Sequence, residues 1–158
     1  MRYQVDGEFR SVTVFEESFP QAIVKINSDG KEIHFNTLNL KKTVGSLNIG
    51  GLINTAARTP EMQLTINSNQ LRFEDVDYFK NFFQNTSADL NLTGKVTQTV
   101  SDPELNVSFN LKDTLFENVS SPDSQGQVQM SLDHTSIKAL LLGRQLQTQI
   151  EIPKSQNA

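Results

Sequence analysis

The chain has 158 residues and a formal net charge of −4, which allows one ordinary domain with a sizeable core and gives no basic patch with interleaved aromatics for nucleic acid. Cysteine and tryptophan are absent, so disulfides, thiolate nucleophiles and thiolate metal sites are excluded. No run of about 20 apolar residues predicts a membrane-spanning helix, and the opening MRYQVDGEFR carries charges where a secretory signal would be apolar.

Taken in chain order, the elements are mostly strands. VDGEFRSVTVF (Val5–Phe15) alternates apolar and polar residues, as does PQAIVKINS (Pro20–Ser28). KEIHFNTLNL places Ile33, Phe35, Leu38 and Leu40 on one side with a single slip between Phe35 and Leu38. LNIGGLI offers Leu47, Ile49 and Ile53, and PEMQLTINS offers Met62, Leu64 and Ile66. Strict period-two alternation puts one face against a dry surface and the other in water. FEDVDYFKNFFQN breaks the pattern: Val76, Phe79, Phe82 and Phe83 fall at helical spacing behind Asp75 and Asp77, which predicts a short helix after Phe73. LNLTGKV (Leu90, Leu92, Val96) and PELNVSFNL (Leu105, Val107, Phe109, Leu111) return to alternation. GQVQMSL and LQTQIEI continue it, and DHTSIKALLLGRQ between them predicts one or two helical turns ending at Gly143. Short turns such as SDG and TP join the pieces. The total is about ten to twelve strands, on the usual strand lengths.

The chain also repeats itself. Leu47–Val76 aligns without a gap to Leu90–Val119 at an offset of 43, with nine identities in thirty positions, where ordinary residue usage gives about two. Gly51 and Gly94 occupy the same phase in the two copies, and a strand glycine often marks a bend or close approach. A fainter third copy matches Pro20–Ser28 to Pro60–Ser68 at an offset of 40. The organisation is one continuous segment, 1–158, with units at about 5–40, 45–80 and 88–122, and no linker divides it.

Little in the sequence asks for catalysis. His34 and His134 lie in no motif, and there is no G-x-S-x-G elbow, Walker loop or G-x-G-x-x-G. The acidic run FEDVDYF lacks the calcium-loop pattern and fits a helix start. Asn-x-Ser/Thr triplets begin at Asn85, Asn91, Asn106 and Asn118; with this much Asn, Ser and Thr they read as polar strand residues. No cofactor or metal is expected. The candidate functional surface is instead the repeated apolar stripe: Leu47, Ile49, Met62, Leu64, Ile66, Phe73, Leu90, Leu92, Leu105, Val107, Phe109 and Phe116. It closes either on a second sheet, as a β-sandwich core, or on an apolar ligand, as a groove; alternation alone is the same for both.

ADLNLTGKVTQTVSDPELNVSFNL, a glycine-containing strand, a turn with proline and a second alternating strand, resembles the repeats of AsmA-like and TamB-like bacterial envelope proteins. DYFKNFFQNTSADLNLTGKV is similar to that family's short helix before a new hairpin. The resemblance covers about 45–119 and implies an interior segment of a longer chain. It implies an all-β, elongated, incompletely closed groove with a non-enzymatic role in the periplasm. That role is lipid transport, sheltering phospholipid acyl chains between membranes, or help in outer-membrane assembly alongside envelope proteins. A binding or adhesion sandwich that contacts glycan or protein is the alternative reading.

Overall fold

The computed structural model describes residues 2–14, 17–77 and 84–153. Twelve strands form one antiparallel sheet. Ten of them make a continuous path: β1 (Tyr3–Val14), β2 (Glu17–Ser28), β3 (Glu32–Lys41), β4 (Ser46–Asn54), β5 (Glu61–Asn69), β7 (Thr86–Thr99), β8 (Asp102–Phe116), β10 (Ser124–Met130), β11 (His134–Leu141) and β12 (Leu146–Pro153). The two short strands β6 (Leu71–Arg72) and β9 (Val119–Ser121) pair with β7 and β8. The sheet does not close, because β1 and β12 stand at its two ends without pairing to each other. Along the path sequence order is spatial order and each neighbour is antiparallel to the last, so most connections are short turns.

Alternation and register together decide the faces. Directly opposite residues share a face, and one row can be followed through all ten strands of the path: Gly7, Val24, Leu38, Ile49, Ile66, Gly94, Val107, Val128, Ile137 and Ile150. Every member is apolar. The row beside it on the other face includes Asn67, Thr93, Ser108, Gln127, Lys138 and Gln149, all polar. The slip in KEIHFNTLNL is a register shift between Phe35 and Leu38, which keeps Ile33, Phe35, Leu38 and Leu40 on the apolar side.

The sandwich alternative fails on the contacts. Among the described residues, the substantial backbone contacts run between hydrogen-bonded neighbours, together with those of one 3-10 turn, Phe73–Asp75, against β7. Among the described residues no second layer lies on the apolar face. The accessible surface is 10726 Å², whereas a compact monomer of this length exposes about 7,900 Å². A single sheet has that excess, and its most exposed large apolar side chains lie on β1, β12, the ends of β8 and β10, β9 and the turns.

Two expectations on helices are settled differently. DHTSIKALLLGRQ is not helical: His134–Leu141 is β11, paired on both sides. Its Thr135, Ile137, Ala139 and Leu141 also alternate, and two ready strand partners outweigh a short helical period. Of FEDVDYFKNFFQN, the described part opens with the 3-10 turn Phe73–Asp75, and residues 78–83 lie outside the described residues.

The units at 45–80 and 88–122 each place two long strands side by side: β4 with β5, and β7 with β8. Leu64 and Val107 fall on the same face, on strands two places apart that run in the same direction. The segment 5–40 carries three long strands. Its Pro20–Ser28 lies in β2, three places from β5, and runs opposite to it, so the faint third copy shares a pattern with β5 and not an orientation.

Candidate functional site

Of the stripe residues read from the sequence, Leu47, Ile49, Met62, Leu64, Ile66, Leu90, Leu92, Leu105, Val107 and Phe109 all lie on the one apolar face by register. Phe116 pairs with Thr86 at the far end of β8 and is exposed. Phe73 leaves the sheet in the 3-10 turn and is buried against Leu71, Ala88 and Leu90. The alternation holds residue by residue: Phe109 and Ile66 are half-buried, while Ser108 and Thr65 are exposed.

Burial is graded along the strands. One cluster gathers Phe19, Ala22 and Leu40, with Leu47 and Ile49 against it. A second gathers Leu71, Phe73, Ala88 and Leu90, with Leu92 and Phe109 against it. Both sit at the end of the sheet that holds the β1–β2 and β3–β4 turns and the start of β7. Toward the other end, Met62 and Thr135 are still buried, Ile33, Ile53, Leu64, Val96 and Leu105 are half-buried, and Met130 is exposed. The two clusters therefore seal one end of the apolar face from β2 to β7, and the cover is thinner beyond them.

An ionic tie holds the sealed end. The Lys42 side chain is 5 % exposed, and its ammonium pairs with Glu17 and lies 3.3 Å from the Asp77 carboxylate. It also lies 5.0 Å from the centre of the Phe19 ring, a cation–π contact. The Ser18 amide donates to Asp77 at 3.1 Å, and the Asp77 amide donates to Glu17 at 2.8 Å. These bonds join β2, the β3–β4 turn and the residues after the 3-10 turn, which are about sixty positions apart in sequence. They draw in that end of the sheet, and Phe73 and Val76 plug it from the apolar side. Sequence reading took Asp77 for a helix start and passed over Lys42. Only the tertiary approach of β2 reveals the pair.

Glycine stands where neighbouring strands approach closely at two equivalent points. Gly51 has φ +130°, and a Cβ there would enter the van der Waals shell of the Gln63 carbonyl. A Cβ on Gly94 would stand 2.9 Å from the Asn106 carbonyl oxygen. The backbone of the next strand passes too close for a side chain at either position.

The polar face has its own relief. Two shallow hollows of about 470 and 570 Å³ open there across β5 to β12, lined by residues such as Thr93, Asn106, Ser108, Gln127, Lys138 and Gln149. Glu104 accepts bonds from Asn106, Gln98 and Gln129, and these hold its carboxyl below the usual carboxylate range. Glu151 is lowered in the same way by Ser136, His134 and Gln149. His134 lies 2.7 Å from Glu151, and the Ser136 hydroxyl donates to Glu151 at 2.8 Å. The carboxylate is thus the hub, and Ser136 does not hand its proton to the imidazole as a nucleophile would need. His34 pairs with Glu32 at 3.0 Å on the surface. Among the described residues no group of three or more His, Asp or Glu side chains is placed to hold a metal ion, and no helix is long and apolar enough to cross a membrane.

No family model, curated protein or solved structure matches the chain.

Proposed function

We propose that the chain is a non-enzymatic lipid-binding segment of a bacterial envelope protein of the AsmA-like or TamB-like kind, whose apolar face shelters phospholipid acyl chains in the periplasm. Lipid transfer between membranes or help in outer-membrane assembly follows from that role. One observation carries the reading. A row of apolar residues crosses ten strands with no second layer over it among the described residues, and its central members are half-buried. At about 4.8 Å per strand, ten strands span roughly 45 Å, whereas one leaflet's acyl region is about 15 Å deep. A tail laid along the row buries methylenes at about 0.8 kcal/mol each. Because the row is built from Val, Ile, Leu and Gly without a polar break, that gain changes little from strand to strand, and no position traps the tail.

The alternation supplies its own control. A photo-crosslinking side chain at Phe109 captures co-expressed phospholipid, and the same probe at Ser108, one residue away on the opposite face, captures little. Ile66 and Thr65 repeat the contrast in the sister unit. Circular dichroism checks that each variant folds. Folded proteins that capture no lipid at 109 and 66 end this reading. Capture of glycan or protein at Ser108 alone would favour the hollows of the polar face as the working surface, and with them the adhesion reading.

A further inference from the structure

The polar face carries an inference that stands whether or not the apolar face takes lipid. Its two hollows share Thr93, Ser108, Gln127 and Lys138, which form one row across β7, β8, β10 and β11, so they are two parts of a single trough. The chain has a formal net charge of −4, yet no carboxylate lines either hollow, while Lys95 and Lys138 do. Both lysines are exposed, and among the described residues neither pairs with a carboxylate. Other lining side chains are held in place by two carboxylates that stand outside the lining. Glu104 accepts from Asn106 Nδ2 at 3.0 Å and Gln129 Nε2 at 2.9 Å. Glu151 accepts from the Ser136 hydroxyl at 2.8 Å and Gln149 Nε2 at 3.0 Å. An ionised carboxylate only accepts, so each amide turns its nitrogen toward it and leaves its carbonyl oxygen for another partner.

We propose that this trough binds an acidic saccharide. The fixed amide carbonyls of Asn106, Gln129 and Gln149 accept from sugar hydroxyls, and the hydroxyls of Thr93 and Ser108 both donate and accept. Lys95 and Lys138 take the carboxylate or phosphate group that the sugar carries, in charge-assisted bonds. Other ligand classes lack partners here. A peptide strand binds through backbone donors and acceptors, and on the face of a sheet the ladder already uses these. A nucleobase stacks on an aromatic ring, and the hollow that holds Lys95 has no aromatic residue in its lining. An acyl chain would cover these amides and ammonium groups without bonding them, at a cost for each.

The test titrates the isotopically labelled full chain and follows its amide chemical shifts. The probes are an oligogalacturonate trimer, a hexose phosphate, neutral maltotriose and inorganic phosphate. The expected result is saturable shifts in β7, β8, β10 and β11 with at least one of the two acidic saccharides. Maltotriose and inorganic phosphate should bind at least about tenfold more weakly, the worth of one charge-assisted hydrogen bond. Lys95→Gln with Lys138→Gln should bring the acidic saccharide down to the level of maltotriose. Glu104→Gln releases the amides of Asn106 and Gln129, and it should weaken the acidic saccharide while leaving inorganic phosphate unchanged. Circular dichroism confirms that each variant keeps its strands. Three results overturn the proposal. They are no shift with either acidic saccharide, inorganic phosphate that binds as tightly as the saccharides, and an affinity that survives the loss of both lysines. Phospholipid capture at position 109 is read separately, so failure on one face leaves the result on the other standing.

Discussion

Replacing Lys42 with methionine keeps the aliphatic stem over Phe19 and removes the charge between Glu17 and Asp77. Taking one partner from a buried ion pair costs about 3–5 kcal/mol, because the remaining charge is left uncompensated. Here the figure falls, for two reasons found in the site. The Asp77 side chain is 33 % exposed and the Glu17 side chain 17 %, and the carboxylates keep the amide donors of Ser18 and Asp77. We expect about 2 kcal/mol, which corresponds to a loss of about 25-fold in protection at 1.4 kcal/mol per tenfold. Native-state amide hydrogen exchange read by mass spectrometry is the assay, since it resolves the sheet strand by strand. Protection should fall in β2, β3 and β4, which the tie joins, and hold in β10 to β12, which it does not reach. Adding Glu17→Gln to Lys42→Met should restore part of the loss by removing one of the two facing carboxylates. A change of less than about threefold, or one spread evenly over the sheet, would refute the account of Lys42 as the tie of the sealed end.

Other substitutions test other parts of the argument. Gly51→Ala should cost more than about 3 kcal/mol, combining backbone strain at positive φ with the clash against the next strand, and urea unfolding followed by far-ultraviolet circular dichroism measures it. Ala88, fully buried beneath Phe73 and Leu90, should tolerate Gly better than Leu, because overpacking there costs about 1–3 kcal/mol; thermal melts of the two variants decide. Glu104 and Glu151 have carboxyls held low in the folded chain. Their contribution is therefore present above the ordinary carboxylate range and disappears as pH falls through their folded values. Glu104→Gln should flatten the acid side of the stability profile by lowering its neutral plateau relative to the acid limit, and unfolding midpoints from neutral to acid pH read the difference.

Much of the fold was legible because period two is a local signal. Ile33, Phe35, Leu38 and Leu40 announced both a strand and its bulge, since a register shift is what keeps four apolar residues on one side after a slip. The gapless copy of Leu47–Val76 onto Leu90–Val119 placed Leu64 and Val107 on one face, and Gly51 and Gly94 at two close approaches. The segment DHTSIKALLLGRQ was misread because Ile137, Leu140 and Leu141 satisfy a helical period while Thr135, Ile137, Ala139 and Leu141 satisfy a strand period. Pairing with β10 and β12 decides between them, and that lies outside the segment. One layer against two was equally illegible, because a half-covered stripe and a sealed one have the same letters. The burial of Phe19 goes with the Lys42 contacts, which join residues too far apart for any sequence window.

A sheet in which strands touch mainly their ladder neighbours has no central core that an added piece must repack. Inserting one unit of 43 residues between β5 and β7 would supply its own two-strand ladder and lengthen the apolar face by roughly 10 Å at about 4.8 Å per strand. It would restore the original direction for every strand beyond it, because two is an even number. A single-strand insertion would reverse all of them and invert each following turn. Length in this architecture is thus adjustable in hairpin steps, and the gapless pair of copies at Leu47 and Leu90 is the form that such a step takes in the sequence.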